Sequence, residues 1–472
     1  MITSQKFGKK STETKGNVQK CSGADIASMI ISRLAMLSLL LASNLAALEM
    51  GWRPEVESAI NDVIVAHENE SPKPVAVFDW DNTTAKHDLS EAIFHKMLAD
   101  DMMFAPENDD LLSVTHLFTR DAIAAVKSSC KRVMRKQKKG YLLAGSFYKT
   151  SGAQGKACRQ EFINFYYNEK TAAGQDAFSQ SAGAYNPRTI RPSYLWMMHL
   201  YSGMSRDDVH ALANFVLDER TKPEAKLKSR NTVDGRQYPS FLEINQPIVT
   251  VIDKLLQSGF EVWIVSASQQ YTVETFAARL NQKLGGRLFN QNINNRLETE
   301  ASRKRLPVIG VQMLSDQGQS VAKRLSEMGI AYDGEGEVLV NAVRGCGGYG
   351  ENEIITYIEG KPCFINLAIG KRPVLAFGDA NTDVGMLQQA SELSVAINRN
   401  YSELMCNAYQ KNAFGKKKWV VQPMFIDPCK KRDQSYDCRQ FVNENGEKMS
   451  FALQDDVFVA EGNGQIDVDC HR

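Results

Sequence analysis

Residues 75–83 read Val-Ala-Val-Phe-Asp79-Trp80-Asp81-Asn82-Thr83, an apolar run that delivers two aspartates, one residue apart, into a turn. A buried strand of a parallel sheet reads as such a continuous apolar run. Ligands of open α/β sheets bind outside the carboxyl ends of these strands, which is where Asp79 and Asp81 are delivered. Alternation would aim both carboxylates the same way, although the turn begins here and could re-aim one of them. Two adjacent carboxylates repel and are costly to keep ionised together without a cation. The pair therefore predicts a metal, with a nucleophile beside a general acid/base. The other reading is a plain turn or a helix N-cap, since Asp and Asn serve both. The rest of the chain has to decide between them.

Strand and helix patterns alternate on either side of this run. Residues 53–68 predict an amphipathic helix, with Val56, Ile60, Val63 and Ile64 on one side. A strand near 74–79 follows, then a helix near 87–99 carrying Leu89, Ile93 and Phe94. Residues 101–245 read as a long, mostly helical stretch in which Ser205-Arg-Asp-Asp208 is a capping box opening a helix to about residue 218. From 246 the alternation resumes. A helix spans 247–256 with Gly259 as its stop, a strand Val262-Trp-Ile-Val265 ends at Ser266, and a helix covers 270–281. Residues 285–358 are irregular, with β-like runs at 307–312, 337–340 and 354–358. A helix at 361–369, a strand at 373–377, a helix at 382–390 and a strand at 392–396 complete the pattern.

This predicts an α/β fold built on a doubly wound parallel sheet, with a large, mostly helical cap inserted after the first strand and a smaller insert after the second. The expected division is an N-terminal extension (1–48), a core made of 49–100 and 246–422 with its insert at 285–358, a cap at 101–245, and a C-terminal extension at 423–472. Inserts beside the catalytic edge are the natural place for a lid.

The chain has 472 residues, enough for two or three domain-sized units. Apolar content of 43% and charged content of 24% are ordinary for a globular protein, and a net charge of +1 offers no argument for nucleic acid or an anionic membrane surface. Residues 1–20 are polar and Lys-rich. Met29-Ile-Ile-Ser-Arg33 and the apolar Leu34–Ala42 then form the n- and h-regions of a secretory signal, with Leu45-Ala46-Ala47 as its cleavage site. Translation would then start at Met29, and the protein would be periplasmic or secreted. An uncleaved inner-membrane anchor or an amphipathic helix is the alternative. Nine cysteines become eight when a leader containing Cys21 is removed. An even number in an exported protein suggests disulfides, with Cys130–Cys158 and Cys429–Cys438 the sequence-near candidates. Free buried thiols are the other reading.

Three more sites follow the first. Ile264-Val265-Ser266-Ala267-Ser268 places a small hydroxyl at a strand end, where it and free backbone N–H groups can donate to an anionic oxygen. Leu375-Ala-Phe377-Gly378-Asp379-Ala-Asn-Thr-Asp383 ends another strand in a Gly turn with two acids four residues apart. Such a set suits Mg²⁺, which takes one or two carboxylates, waters and phosphate oxygens. Lys361, in Glu-Gly-Lys-Pro before a helix, could neutralise a carboxylate and a phosphoryl group; Lys371 is its competitor.

The set Asp79-x-Asp81-x-Thr83, Ser266, Lys361 and Gly378-Asp379-x-x-x-Asp383 resembles the haloacid dehalogenase (HAD) superfamily, with the motifs in order over roughly 53–100 and 246–422. The resemblance implies phosphatase chemistry, because dehalogenases lack the second aspartate. Asp79 would attack phosphorus, and Asp81 would protonate the leaving group and then activate water. Mg²⁺ would be held by Asp79, the backbone carbonyl of Asp81 and Asp379, with Asp383 in support. Ser266 and Lys361 would bind phosphoryl oxygens, with Thr83 beside them. Val77-Phe-Asp-Trp-Asp-Asn-Thr83 with Asp88-Leu-Ser-Glu91 behind it is similar to the periplasmic phosphorylcholine phosphatase branch, close to the phosphoserine phosphatase-like enzymes. So are Tyr201-Ser-Gly, Glu261-Val-Trp-Ile-Val-Ser266, Val308-Ile-Gly-Val and Gly370-Lys-Arg-Pro373. Members of that branch bind a quaternary ammonium with acidic and aromatic groups, and Glu91 matches one such acid by position. Glu91 is also well placed as a helix N-terminal acid. Tyr166 and Tyr167 could line an aromatic cage or belong to the core. The cap, 101–200, and the last 50 residues have no counterpart in the branch.

Two signals point elsewhere and are set aside. Gly345-Cys-Gly347-Gly-Tyr-Gly350 matches a dinucleotide fingerprint in letters but precedes a β-like run, not a helix. The basic run from Lys127 to Lys139 reads as a solvated helix face or as an attractor for anions. The expected function is hydrolysis of a small phosphomonoester such as phosphorylcholine or a related phospho-amino alcohol. The alternatives are a phosphatase for a phosphoprotein or other large substrate, and a non-catalytic HAD-like binding protein. No nucleic-acid partner, and no membrane partner beyond the N-terminal anchor, is expected.

Overall fold

The structure, a computed structural model, describes residues 51–99, 118–130, 152–178, 192–201, 206–228, 230–295, 306–313, 353–414 and 418–425. It also describes the short stretches 103–105, 136–137, 146–148, 460–461 and 465–466, and positions 436 and 438. The segment read as a leader, the Gly345–Gly350 run, most of the basic run after Lys127, Ser205, Cys429 and the β-like run at 337–340 lie outside the described residues.

The central sheet has seven strands: β1 (Val75–Phe78), β2 (Glu261–Gln269), β3 (Val308–Met313), β4 (Glu353–Ile354), β5 (Leu375–Gly378), β6 (Leu393–Asn398) and β7 (Lys418–Pro423). Their order is β4-β3-β2-β1-β5-β6-β7, parallel throughout except for the antiparallel edge strand β4. β1 lies in the middle, and sequence order runs outward from it in both directions. That reversal opens a crevice at its carboxyl end.

The continuous apolar run of β1 is needed because both of its faces are covered. Ala76 and Phe78 belong to one core, with Ile264 and Phe377. Val75 and Val77 belong to the other, with Trp263, Val265 and Ala376. Phe78 pairs in register with Phe377 and stacks on it at 4.3 Å. Helices α1 (Pro54–Ala66), α2 (Leu89–Ala99), α7 (Gln246–Gln257) and α8 (Gln270–Lys283) occupy the first side, and α9 (Gly360–Ala368), α10 (Val384–Gln389) and α11 (Ser402–Phe414) the second. α1 is long enough for its Val56-Ile60-Val63-Ile64 stripe to be buried as the 3.6-residue period requires.

Between α2 and α7 the longer described cap helices are α3 (Arg120–Cys130), α4 (Gly152–Asn168), α5 (Pro192–His199) and α6 (Arg206–Arg220). They are not the whole cap: Arg230–Val233 and Arg236–Pro239 form an antiparallel hairpin in a stretch expected to be mostly helical. Phe118, Phe162, Phe165 and Trp196 pack together, and Phe94 of α2 meets Trp196 at 6.0 Å. A disulfide joins Cys130 of α3 to Cys158 of α4. The expected Cys429–Cys438 pairing is corrected: Cys438 is bonded to Cys406 of α11.

β2 does not stop at Ser266 but continues to Gln269, so Ser266 lies inside the strand. α11 and β7 close the sheet beyond the last predicted strand. Among the described residues, no helix is long and apolar enough to cross a membrane.

Candidate active site

Asp79 extends the β1 ladder by one bond, its N–H donating to Phe377 O at 3.0 Å. The chain then turns. Asn82 adopts a left-handed φ of 62°, which Asn tolerates, and Thr84 and Ala85 N–H groups both return to Trp80 O. Trp80, between the two aspartates, is fully buried against Phe276 at 5.1 Å. This anchor sends the flanking Asp79 and Asp81 away from the core and into the same cavity.

Across the crevice, Gly378 ends β5 beside the turn carrying Asp379 and Asp383. A Cβ on Gly378 would lie 2.5 Å from that of Asp383, so the approach admits glycine alone. Asp383 Oδ2 accepts from the N–H groups of Asp379 (3.0 Å) and Ala380 (2.9 Å) and fixes the turn. Its Oδ1 accepts from Lys361 Nζ at 2.6 Å, and Lys361 also donates to Asp79 Oδ1. Gly360, with Ile355 O against the space a Cβ would need, lets α9 begin where this ammonium can reach both acids. Lys371 pairs instead with Glu261 at 2.6 Å, away from the site. Thr83 donates to Asp379 Oδ1 at 2.9 Å.

The electrostatics favour an added cation. Asp79, Asp379 and Asp383 present oxygens within 4.8 Å of one another, all buried. Burial first, then the charge of Asp383, pushes the Asp79 carboxyl well above its usual range despite Lys361. Asp379 is pushed up to about 6, chiefly by burial. Burial opposes the Lys361 charge, but Asp383 and Asp79 outweigh it and hold the ammonium above its ordinary value. With Asp81, four carboxylates gather around two cations, Lys361 and Arg399, the latter 3.3 Å from Asp379 Oδ2. A divalent ion would balance the set, and oxygen-only donors suit Mg²⁺. The residues fit such an ion, which Asp79 and Asp379 would hold, with Lys361 already on Asp79 Oδ1 and Thr83 and Arg399 on the two Asp379 oxygens. Both oxygens of Asp383 are already engaged by Lys361 and the turn.

Asp81 is held separately. Its Oδ1 accepts from Leu89 N–H, at the start of α2, at 2.9 Å. Its Oδ2 accepts from Ser268 Oγ at 2.6 Å and from Ser266 Oγ at 3.4 Å. Ser266, expected at a phosphoryl oxygen, is fully buried; its hydroxyl faces Asp81 and accepts the Ser268 N–H at 3.0 Å.

A cavity of about 320 Å³ opens from Asp79 and Asp81. Its walls are acidic and aromatic: Asp88, Glu91, Tyr166, Tyr167, Tyr194, Tyr357 and Tyr401, with Arg399 at the side. Tyr166 donates to Glu91 Oε1 at 2.9 Å, so Glu91 faces the cavity as well as starting α2. Tyr167 is backed by Arg236, whose guanidinium carbon lies 3.1 Å from the ring centroid, and its hydroxyl meets His95 Nε2 at 2.8 Å. Asp88 caps α2 through Glu91 N–H at 2.9 Å; burial, then the charges of Asp81 and Glu91, raises it well above the usual range.

Ser268, Arg399, Asp88, Tyr194, Tyr357 and Tyr401 were not anticipated from sequence. Ser268 is two residues past Ser266, so a longer strand would have placed it on the same face. Arg399 follows the carboxyl end of β6, the position that identified the other site residues. Tyr194 and Tyr357 come from the two inserts, where no period guides the reading.

No protein-family model matches the chain, and no curated protein matches it. Solved structures resemble it in fold. A conserved protein of unknown function from Anaerococcus prevotii DSM 20548 aligns with a TM-score of 0.51 and 17% identity, over 79% of this chain and 93% of that one. That likeness supports the α/β fold and nothing narrower. A HAD family hydrolase from Salmonella enterica serovar Typhi aligns at 11% identity over 78% of this chain and 76% of its own, with a TM-score of 0.25, too low to carry any argument.

Proposed function

We propose that the chain is a Mg²⁺-dependent phosphomonoester hydrolase working through an aspartyl-phosphate on Asp79. The observation that carries this reading is the juxtaposition of two separately held aspartates at the end of β1. Asp79 sits with Lys361, Asp379 and Asp383, and Asp81 sits with hydroxyl and N–H donors. Asp79 is the nucleophile and Asp81 the acid and then the base. Lys361 orients Asp79 and reduces the cost of ionising it, and Arg399, which lines the cavity beside Asp379, can donate to a phosphoryl oxygen. Thr83 fixes Asp379, and Asp383 fixes Lys361. A bound Mg²⁺ would be held by Asp79 and Asp379 and would neutralise phosphoryl charge.

The cavity favours a small substrate whose leaving group is a cation. Acidic side chains (Asp88, Glu91) and tyrosines line it together with the nucleophile, the surroundings that attract a quaternary ammonium or a protonated amine. A volume of about 320 Å³ admits phosphorylcholine or a phospho-amino alcohol and disfavours a folded phosphoprotein. Export of the chain is part of the same proposal: the Cys130–Cys158 and Cys406–Cys438 bonds suit an oxidising compartment.

The test is turnover of p-nitrophenyl phosphate with Mg²⁺ or with EDTA, followed by a panel of phosphorylcholine, phosphoethanolamine, phosphoserine and a phosphopeptide. Mg²⁺-dependent turnover with preference for the first two is expected. No turnover of any phosphate ester would leave a non-catalytic protein.

A further inference from the structure

Ser268 has no role in the chemistry above, yet its hydroxyl makes the shortest contact to Asp81. The extension of β2 to Gln269 puts Ser266 and Ser268 on one face, and both are fully buried. The Ser268 hydroxyl donates to Asp81 Oδ2 at 2.6 Å, and in the ionised form that activates water the carboxylate can only accept. The Ser268 oxygen then remains for the Tyr194 hydroxyl of α5, 3.4 Å away. A chain of donors thus runs from a cap helix to the proposed acid. Leu89 N–H holds the opposite oxygen of Asp81, so the carboxylate cannot swing without losing a buried bond.

We propose that Ser268 is a positioning residue that sets the aim of Asp81 toward the leaving group. The proposal rests on the phosphomonoesterase reading. In the first half-reaction an Asp79 oxygen bonds to phosphorus, the bond from phosphorus to the leaving oxygen breaks, and the Asp81 proton passes to that oxygen. In the second, a water oxygen bonds to phosphorus and the bond to Asp79 breaks. The proton of the water passes to Asp81, and Asp79 and inorganic phosphate are released. Ser268 exchanges no proton with substrate; it fixes where the Asp81 oxygen stands in both halves.

Leaving-group dependence separates this role from support of the fold. p-Nitrophenolate departs as a stable anion and needs no proton, whereas an alkoxide needs one. The quantity to compare is kcat/KM, which covers only the steps through formation of the phosphoenzyme. Ser268→Ala should lower kcat/KM about tenfold or more on the best alkyl phosphate of the panel, and leave that for p-nitrophenyl phosphate within about twofold. In an Asp81→Asn background the same substitution should cost nothing further on the alkyl ester. Ser268→Cys keeps the volume with a weak donor and carries the same comparison if the alanine variant does not fold. Equal losses on both substrates would overturn the role of Ser268 while leaving the function standing. Absence of any turnover by the wild-type protein would remove the function, and this inference with it.

Discussion

The Lys361 ammonium bridges the carboxylates of Asp79 and Asp383, so one buried cation ties the end of β1 to the turn after β5. All three side chains are nearly inaccessible to solvent. Removing one partner from such a set leaves uncompensated buried charge, which costs about 3–5 kcal/mol. Lys361→Met should therefore destabilise the fold by about that amount in urea titrations and abolish turnover. Lys371→Ala should cost less, about 1–3 kcal/mol, and spare turnover, because Lys371 is itself 42% exposed although its partner Glu261 is buried.

Gly378 tests the turn itself. A methyl there would press on Asp383 and displace the acid that fixes both Lys361 and the Asp379 N–H. Gly378→Ala should lose about 1–3 kcal/mol and most of the activity. Melting curves and p-nitrophenyl phosphate turnover would check it.

Mg²⁺ should stabilise the native state, because the buried acids repel without it. At a hundredfold excess over its dissociation constant, an ion adds about 2.7 kcal/mol. The melting temperature should rise with Mg²⁺ and fall back with EDTA, and Asp379→Asn should remove the response without any assay of activity.

His95 supplies a pH dependence outside the metal cluster. Burial, with the charges of Arg220 and Arg236, holds its pKa down to about 3, and its ring stacks on Tyr238 at 4.0 Å. A histidine depressed in the folded state contributes stability above its unfolded pKa of 6.5, and that contribution is lost as pH falls toward about 3. Between pH 7 and pH 4.5 the loss should be roughly 2–3 kcal/mol. In His95→Phe the acid slope of unfolding free energy should flatten by about that amount, while its value at neutral pH also drops through the lost Tyr167 bond.

Much of this was legible because strand ends are written in apolar runs followed by small or acidic residues. Asp79, Asp81, Asp379 and Asp383 could be found that way, Lys361 was read from its place before a helix, and the structure brings them together. Ser266 and Thr83 are present, but each turns to an aspartate of the cluster rather than outward, because a buried hydroxyl takes the nearest strong acceptor. The hairpin at 230–239 and the cavity tyrosines Tyr194 and Tyr357 were not legible, whereas Tyr166 and Tyr167 were read as candidate cage residues and do line the cavity. Polar, irregular inserts carry no period, and their side chains meet only through tertiary packing. The partner of Cys438 was missed for the same reason: sequence proximity favoured Cys429, whereas the fold brings α11 to it.

The claim that Asp79 carries the phosphoryl group can be read directly by mass spectrometry. Asp81→Asn should slow hydrolysis of the intermediate, so brief exposure to p-nitrophenyl phosphate and Mg²⁺ followed by acid should leave one phosphoryl group on the peptide containing Asp79. Asp79→Asn should show none and should not turn over. Sustained turnover by Asp79→Asn, or phosphate consistently found on another residue, would contradict the mechanism.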